Sequence, residues 1–164
     1  MNRRRARRRQ RRIGVGLAVV VLLALLVPWR GRMPRLPSPE DVAEPGDPSA
    51  VLVTGYCNCG QCCGWRRTWL GFGSPVYVGG PLAGRPKAVG VTASGARARL
   101  GTVAADWSVF PAGTRLSIPG YGEGVVQDVG GSIKGRHIDV WFPTHSMAQK
   151  WGRRWLKVKV KNAD

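Results

Sequence analysis

The stretch GTVAADWSVFPAGTRLSIPGYGEGVVQDVGGSIKGRHIDVWF, residues 101–142, decides the fold. It holds four short β-prone runs, GTVAAD (101–106), TRLSI (114–118), EGVVQDV (123–129) and RHIDVWF (136–142), parted by turns rich in Pro and Gly. In RHIDVWF the period of two puts Ile138, Val140 and Phe142 on one face and His137, Asp139 and Trp141 on the other. The first face reads as core and the second as a groove. Further β-prone runs flank the stretch: VLVTGY (51–56), AVGVTAS (88–94) and WLKVKV (155–160), where Leu156, Val158 and Val160 alternate with Lys157, Lys159 and Lys161. No amphipathic run reaches three helical turns. The one helix expected is THSMAQKW (144–151), with Thr144 as cap and Gly152 as stop. Short strands, tight turns and one short helix predict a mainly β fold of six to seven strands, closed or nearly closed into a barrel, because a small open sheet leaves hazardous edges.

Outward toward the N-terminus, residues 31–50 contain five prolines and no apolar periodicity, which predicts an extended linker. Before it, Ile13 to Val27 is a run without a charged or polar side chain, ending at Pro28 and Trp29 and preceded by eight Arg in residues 1–12. The order predicts a basic cytoplasmic tail (1–12), a transmembrane signal anchor (13–29), a Pro-rich linker (30–50) and a folded domain (51–164) in the periplasm or on the extracellular side. No small-residue cleavage pattern follows Ala24, which favours an uncleaved anchor.

Charge narrows the partners. Residues 1–50 carry 11 Arg against 4 acids, a net +7, and residues 51–164 carry 15 Lys+Arg against 5 acids, a net +10. Such a surface calls for an anionic partner, which for an exported domain without a nucleic-acid reading motif is a membrane or a wall polymer and not nucleic acid. Within so basic a domain each carboxylate is unusual. Asp106 and Asp128 precede turn-like residues, so turn capping is as natural for them as chemistry. Asp139 lies inside a β-run between Ile138 and Val140, with no turn to cap. A carboxyl in a partly apolar groove has its pKa raised and can serve as a general acid.

The block from TASG (92–95) through 101–142 to the final WLKVKV resembles the three-aspartate (3D) domain family, found in the C-terminal part of membrane-bound lytic transglycosylase A and in small muralytic stationary-phase proteins. DVGGSIKGRHIDVWF (128–142) is the most specific part of that resemblance. The resemblance implies a double-psi β-barrel, an exported location and cleavage of the glycan strands of peptidoglycan, with no cofactor. It identifies Asp106, Asp128 and Asp139 as the three family aspartates and Asp139 as the acid/base. Thr92, Gly130, Gly131, Lys134, Trp141 and Tyr56 are then expected to contact substrate, although Trp141 is equally suited to barrel packing. A hydrolase of a β-1,4 glycan uses two carboxyl groups. A lytic transglycosylase manages with one, because the muramic acid C6 hydroxyl attacks within its own sugar at high effective concentration. The chain departs from the family pattern in lacking the second groove wall of the larger enzymes and in an insertion, residues 65–91, that either supplies that wall or forms a surface loop. A non-catalytic wall-binding module is the competing expectation.

The four cysteines, Cys57, Cys59, Cys62 and Cys63, fall within seven residues as C-x-C-x2-C-C. For an exported domain the even count predicts disulfides, with Cys57 and Cys59 crossed to Cys62 and Cys63, and no metal. Four thiolates also have the donor count for zinc, but the spacing is not a paired C-x2-C and an oxidising compartment opposes it. His137 and His145 add little to the metal reading. Within the resembled family a cluster of this spacing also precedes TASG, which implies a structural role.

Overall fold

The computed structural model describes residues 35–161; the expected tail and membrane anchor (1–29) lie outside them. Among the described residues no helix is long and apolar enough to cross a membrane. The described residues hold a 3-10 turn (Pro39–Asp41), nine strands and two α-helices: β1 (Ala50–Tyr56), α1 (Gly60–Cys63), β2 (Trp65–Arg67), β3 (Pro75–Tyr77), β4 (Thr102–Ala105), β5 (Arg115–Ile118), β6 (Gly122–Asp128), β7 (His137–Trp141), α2 (His145–Trp151), β8 (Arg154–Lys157) and β9 (Lys159–Lys161).

Seven strands form one sheet in the order β8-β1-β7-β4-β6-β5-β9. The pairs β1·β7 and β4·β6 are parallel and the rest antiparallel. The two edge strands are consecutive in the chain with only Val158 between them, and one residue advances a chain by about 3.3 Å. The sheet therefore curls until its edges meet at Val158. That closure explains why the expected final strand is split. Lys157 pairs with Ala50 at one edge and Lys161 with Arg115 at the other. Leu156 is fully buried as expected, but Val160, although it pairs with the buried Leu116, is 56% exposed because β9 is an outermost strand.

The core inside the curl is built from Val51, Val53, Val103, Ala105, Leu116, Ile118, Val126, Ile138, Val140, Phe142 and Leu156, all almost wholly buried. Ile138, Val140 and Phe142 face it, as their spacing requires. Tyr121, Phe142 and Trp151 stack edge-on or tilted with centroids 5.5–6.0 Å apart. The Tyr121 hydroxyl donates to the Trp141 carbonyl at 2.8 Å and accepts from the Gly101 amide at 3.0 Å. Helix α2 forms where expected: Thr144 Oγ1 accepts from the Met147 amide at 3.2 Å, and Gly152 ends it at a φ of 69°. It packs directly over β1 because Gly55 has no side chain; a Cβ there would lie 2.9 Å from the Phe142 ring and 3.1 Å from the Ala148 carbonyl.

Three expectations change. AVGVTAS forms no strand: Val91 makes only an isolated antiparallel bridge to Arg97, with the Ala98 amide on the Gly90 carbonyl and the Thr92 amide on the Ala96 carbonyl. The linker region is docked over part of its length, since Val42 bridges to Leu156 and the Ala43 amide donates to the Trp155 carbonyl at 3.0 Å. The insertion contains an antiparallel hairpin, β2–β3, whose connecting loop leaves Trp69, Leu70 and Phe72 at least 77% exposed.

Candidate functional site

Strand register assembles the site. In the parallel β1·β7 pair Thr54 lies beside Asp139; in β4·β7 Ala104 lies on the other side of Asp139; in β4·β6 Ala104 lies beside Asp128. Thr54, Asp139, Ala104 and Asp128 thus form one row across four adjacent strands, about 4.8 Å per step. Ala104, itself buried, separates the two carboxylates in this row. A bulge makes the row possible. Val103 pairs with Val126 but Ala104 pairs with Asp128, so Gln127 is the extra residue. Without that extra residue, strict alternation puts Asp128 on the core face with Val126.

Asp139 is half-buried in the middle of β7. Its pKa is raised to about 6, chiefly by burial, with the hydrogen bond from Thr54 opposing the rise and the nearby Asp128 charge adding to it. Thr54 Oγ1 lies 2.9 Å from Asp139 Oδ1 and 2.9 Å from His137 Nε2. A hydroxyl has one proton. When it donates to ionised Asp139 it must accept from His137, and when Asp139 carries the proton the order can reverse. Burial, together with the positive charge of Arg153, holds the His137 pKa below its ordinary value, so the imidazole is neutral at neutral pH.

Asp128 is held from three directions. Oδ2 accepts from the Tyr56 hydroxyl at 3.1 Å, and Oδ1 accepts from the Ala93 amide at 3.0 Å and the Val129 amide at 2.9 Å. Tyr56 is itself buried, which raises its pKa and keeps it a neutral donor. The indole of Trp107 donates to the Asp128 carbonyl at 3.1 Å. Asp106 lies just past β4, where Oδ1 accepts from the Ser108 amide and hydroxyl at 3.1 and 2.7 Å and Oδ2 from the Gly135 amide at 2.9 Å. These bonds lower its pKa to about 2, chiefly through Ser108. Asp106 closes a turn and ties down the loop that leads into β7.

The other expected contacts divide. Tyr56 and Trp141 pair across β1 and β7, and Trp141 Nε1 donates to Asn58 Oδ1 at 2.8 Å. Thr92 is buried and spends its hydroxyl on Ser94 and the Ala96 carbonyl, holding the TASG turn. Gly130 is required by packing, since a Cβ would lie 2.5 Å from Ile133, whereas Gly131 and Lys134 are exposed. Thr54 and Asn58 were not singled out from the sequence. Thr54 belongs to the groove only through a partner 85 positions away, and neither residue carries a local signal of it. A shallow recess of about 130 Å³ lined by Arg99, Arg115, Glu123 and Gln127 contains none of the three aspartates.

The cysteines are free thiols and the crossed disulfides are not formed. Cys59 caps α1, accepting from the Cys62 amide through sulfur at 3.4 Å. Cys63 turns its thiol to the Cys57 carbonyl at 3.1 Å. The remaining three thiols face His145.

With this geometry described, comparison with known proteins is specific. Residues 101–162 match the 3D domain. Over 77 residues the chain is 42% identical to the cell wall-binding protein YocH of Bacillus subtilis, covering 44% of this chain and 27% of that protein. Over 60 residues it is 42% identical to YabE of the same organism, a protein named for cell wall shaping, covering 37% of this chain and 15% of that protein. The chain thus spans less than a third of either relative. Among solved structures it is similar to MltA from Escherichia coli, which has a lytic transglycosylase fold, with 26% identity, a TM-score of 0.39, and 49% of this chain and 30% of that one covered. MltA with bound chitohexaose matches with the same figures.

Proposed function

We propose, from the match of residues 101–162 to the 3D domain, that the protein is a lytic transglycosylase-like enzyme that cuts the β-1,4 MurNAc–GlcNAc bond of peptidoglycan. The observation that carries this reading is Asp139: a half-buried carboxyl in mid-strand, raised to about 6, hydrogen-bonded to Thr54 and facing a second carboxylate. A group of that pKa is protonated often enough to donate and basic enough to take the proton back.

In this mechanism Asp139 protonates the glycosidic oxygen as the bond to C1 breaks. The carboxylate so formed then removes the proton from the muramic acid C6 hydroxyl, whose oxygen attacks C1 and closes a 1,6-anhydro ring. The proton count balances without water, and a second catalytic carboxyl is not needed. Thr54 positions the Asp139 carboxyl. Asp128, held by Tyr56 and two amides, sets a second acidic side chain near the reacting centre, suited to the oxocarbenium-like charge that develops at C1. Trp141 flanks the same face for stacking on a sugar ring. Two parallel strand pairs inside a curled sheet whose edge strands are joined through Val158 support the double-psi form of the barrel. The eight N-terminal arginines and the apolar run to Val27 support export, with residues 13–29 as an anchor.

A wall-binding role without catalysis is the second reading, favoured by the likeness to a protein named for cell wall binding and by the +10 charge of residues 51–164. Incubating the purified full-length protein with sacculi and analysing the soluble products by mass spectrometry separates the two. Anhydro-muropeptides are expected. Ordinary reducing ends would make it a hydrolase, and an intact pellet carrying the protein would make it a binding module.

A further inference from the structure

The loop after β1 and the first residue of α2 bring together three thiols and an imidazole that glycan cleavage does not use. One ligand atom from each of Cys57, Cys59, Cys62 and His145 can be chosen so that all four lie within 4.8 Å of one another. Cys57 Sγ and Cys62 Sγ are 3.8 Å apart; His145 Nδ1 is 3.5 Å from Cys59 Sγ and 3.3 Å from Cys62 Sγ. A disulfide would bring two sulfurs to about 2.05 Å. In a tetrahedral centre, Zn–S bonds of about 2.3 Å and a Zn–N bond of about 2.0 Å require edges of roughly 3.8 Å between sulfurs and 3.5 Å between sulfur and nitrogen. The three contacts lie close to those edges.

We propose that Cys57, Cys59, Cys62 and His145 Nδ1 form a structural zinc site that joins the end of β1 to the start of α2. Register explains why residues from such distant parts of the chain meet. β1 and β7 run parallel with Tyr56 beside Trp141, and the Phe142 amide donates to the Tyr56 carbonyl at 2.7 Å. Both strands leave the sheet at the same end, so the residues that follow each of them are neighbours. Thr144 then caps α2 and sets His145 in its first turn. The α1 turn brings Cys62 back toward Cys59, with Gly64 in the left-handed region closing it. The Cys62 amide on Cys59 Sγ is the kind of donor that steadies a metal-bound thiolate. His145 Nε2 is buried without a partner, so its two sulfur neighbours supply the ring's polar contacts through Nδ1. Cys63 is excluded because its thiol is turned to the Cys57 carbonyl.

Three thiolates and a neutral imidazole fill four positions and leave none for a substrate, which makes the site structural. Binding releases the three thiol protons to solvent as the sulfurs ligate. The site would also brace the groove. Asn58 lies between two of the ligands, takes the Trp141 indole on Oδ1 at 2.8 Å and takes the Trp65 indole on its carbonyl at 2.9 Å.

The test is metal content of the full-length protein, produced with zinc in the medium and purified in detergent without added reductant. Close to one zinc per chain is expected, with titratable thiols appearing on treatment with a strong chelator and a lower melting temperature after metal removal. Cys59→Ser and His145→Ala should each weaken zinc binding by more than about 10-fold, and Cys63→Ser should leave it unchanged. Cobalt(II) substitution of the wild type guards against variants that fail to fold: intense visible bands of a tetrahedral site with thiolate charge transfer are expected. Zinc-free protein with oxidised cysteines would overturn the site in favour of disulfides. Undiminished zinc in His145→Ala, or its loss in Cys63→Ser, would overturn this ligand set in favour of four cysteines. A cobalt protein without tetrahedral bands would overturn it as well.

Discussion

Asp139 lies within β7 and Asp106 just past the end of the neighbouring β4, yet their carboxyls are set to opposite purposes. In the β4·β7 pair Ala105, next to Asp106, lies beside Ile138, next to Asp139. Asp106 lies where the chain turns, so two amides and a hydroxyl aim at it and its pKa falls to about 2. Asp139 lies in mid-strand, where its neighbours' amides are committed to the sheet. One threonine hydroxyl donates to it, and burial carries it up to about 6. The difference teaches that a carboxylate at a turn is available for architecture, whereas one inside a strand is left short of donors and becomes an acid.

The largest expected effect breaks the pair outright. Asp139→Asn keeps the shape but removes the proton, so release of anhydro-muropeptides should fall by roughly 10²–10⁴-fold. The same change should raise the melting temperature at neutral pH. The gap between about 6 and the ordinary 3.8 means that ionising Asp139 costs the folded state up to roughly 3 kcal/mol. A fully active Asp139→Asn would transfer the acid role to Asp128.

The pH dependence sharpens the contrast. With its raised folded pKa, Asp139 binds more protons folded than unfolded between about 3.8 and 6, so its effect on stability is a loss as pH rises through that window. Asp106 has the opposite sign: its stabilisation is complete above the unfolded value of 3.8 and is lost as pH falls toward about 2. The turnover profile should decline above about pH 6, where the acid form of Asp139 is depleted. A profile flat from pH 5 to 8, measured on sacculi with the intact protein, would contradict the assignment.

Smaller shifts follow from the neighbours. Asp128→Asn removes a negative charge and should move the falling limb toward acid pH; Thr54→Val removes the opposing hydrogen bond and should move it toward alkaline pH. Equal profiles in both variants would mean that neither group tunes Asp139. The smallest effect on turnover belongs to Asp106→Asn, which should lower the melting temperature by a few degrees and leave activity within a few-fold, because its partners hold a loop and not the reacting atoms.

Much of the local plan was legible. Ile138, Val140 and Phe142 face the core because period two in a β-run admits no other face once one of them is buried. Thr144 and Gly152 delimit α2 because cap chemistry is local. AVGVTAS misled because its apolar residues match a strand while Gly90, at a φ of 76°, and its turn hydrogen bonds take the backbone elsewhere. The meeting of the cysteines with His145 was hidden for a different reason: seven residues of cysteine spacing contain no trace of a histidine more than 80 positions later.

By itself, then, the sequence determined most of the strands of residues 101–142, the core face of β7, the groove face with Asp139 and the capped helix α2, all of which depend on residues within a few positions of one another. Tertiary structure alone decided which strands are neighbours. The parallel register of β1 and β7 brings Thr54 to Asp139 and the cysteines to His145, and the bulge at Gln127 turns Asp128 from the core side to the groove. A bulge moves a side chain to the opposite face without changing the local pattern of apolar and polar residues. A parallel pairing joins segments separated by more than 80 residues through backbone hydrogen bonds, which are the same for every side chain and leave no mark in the order of residues.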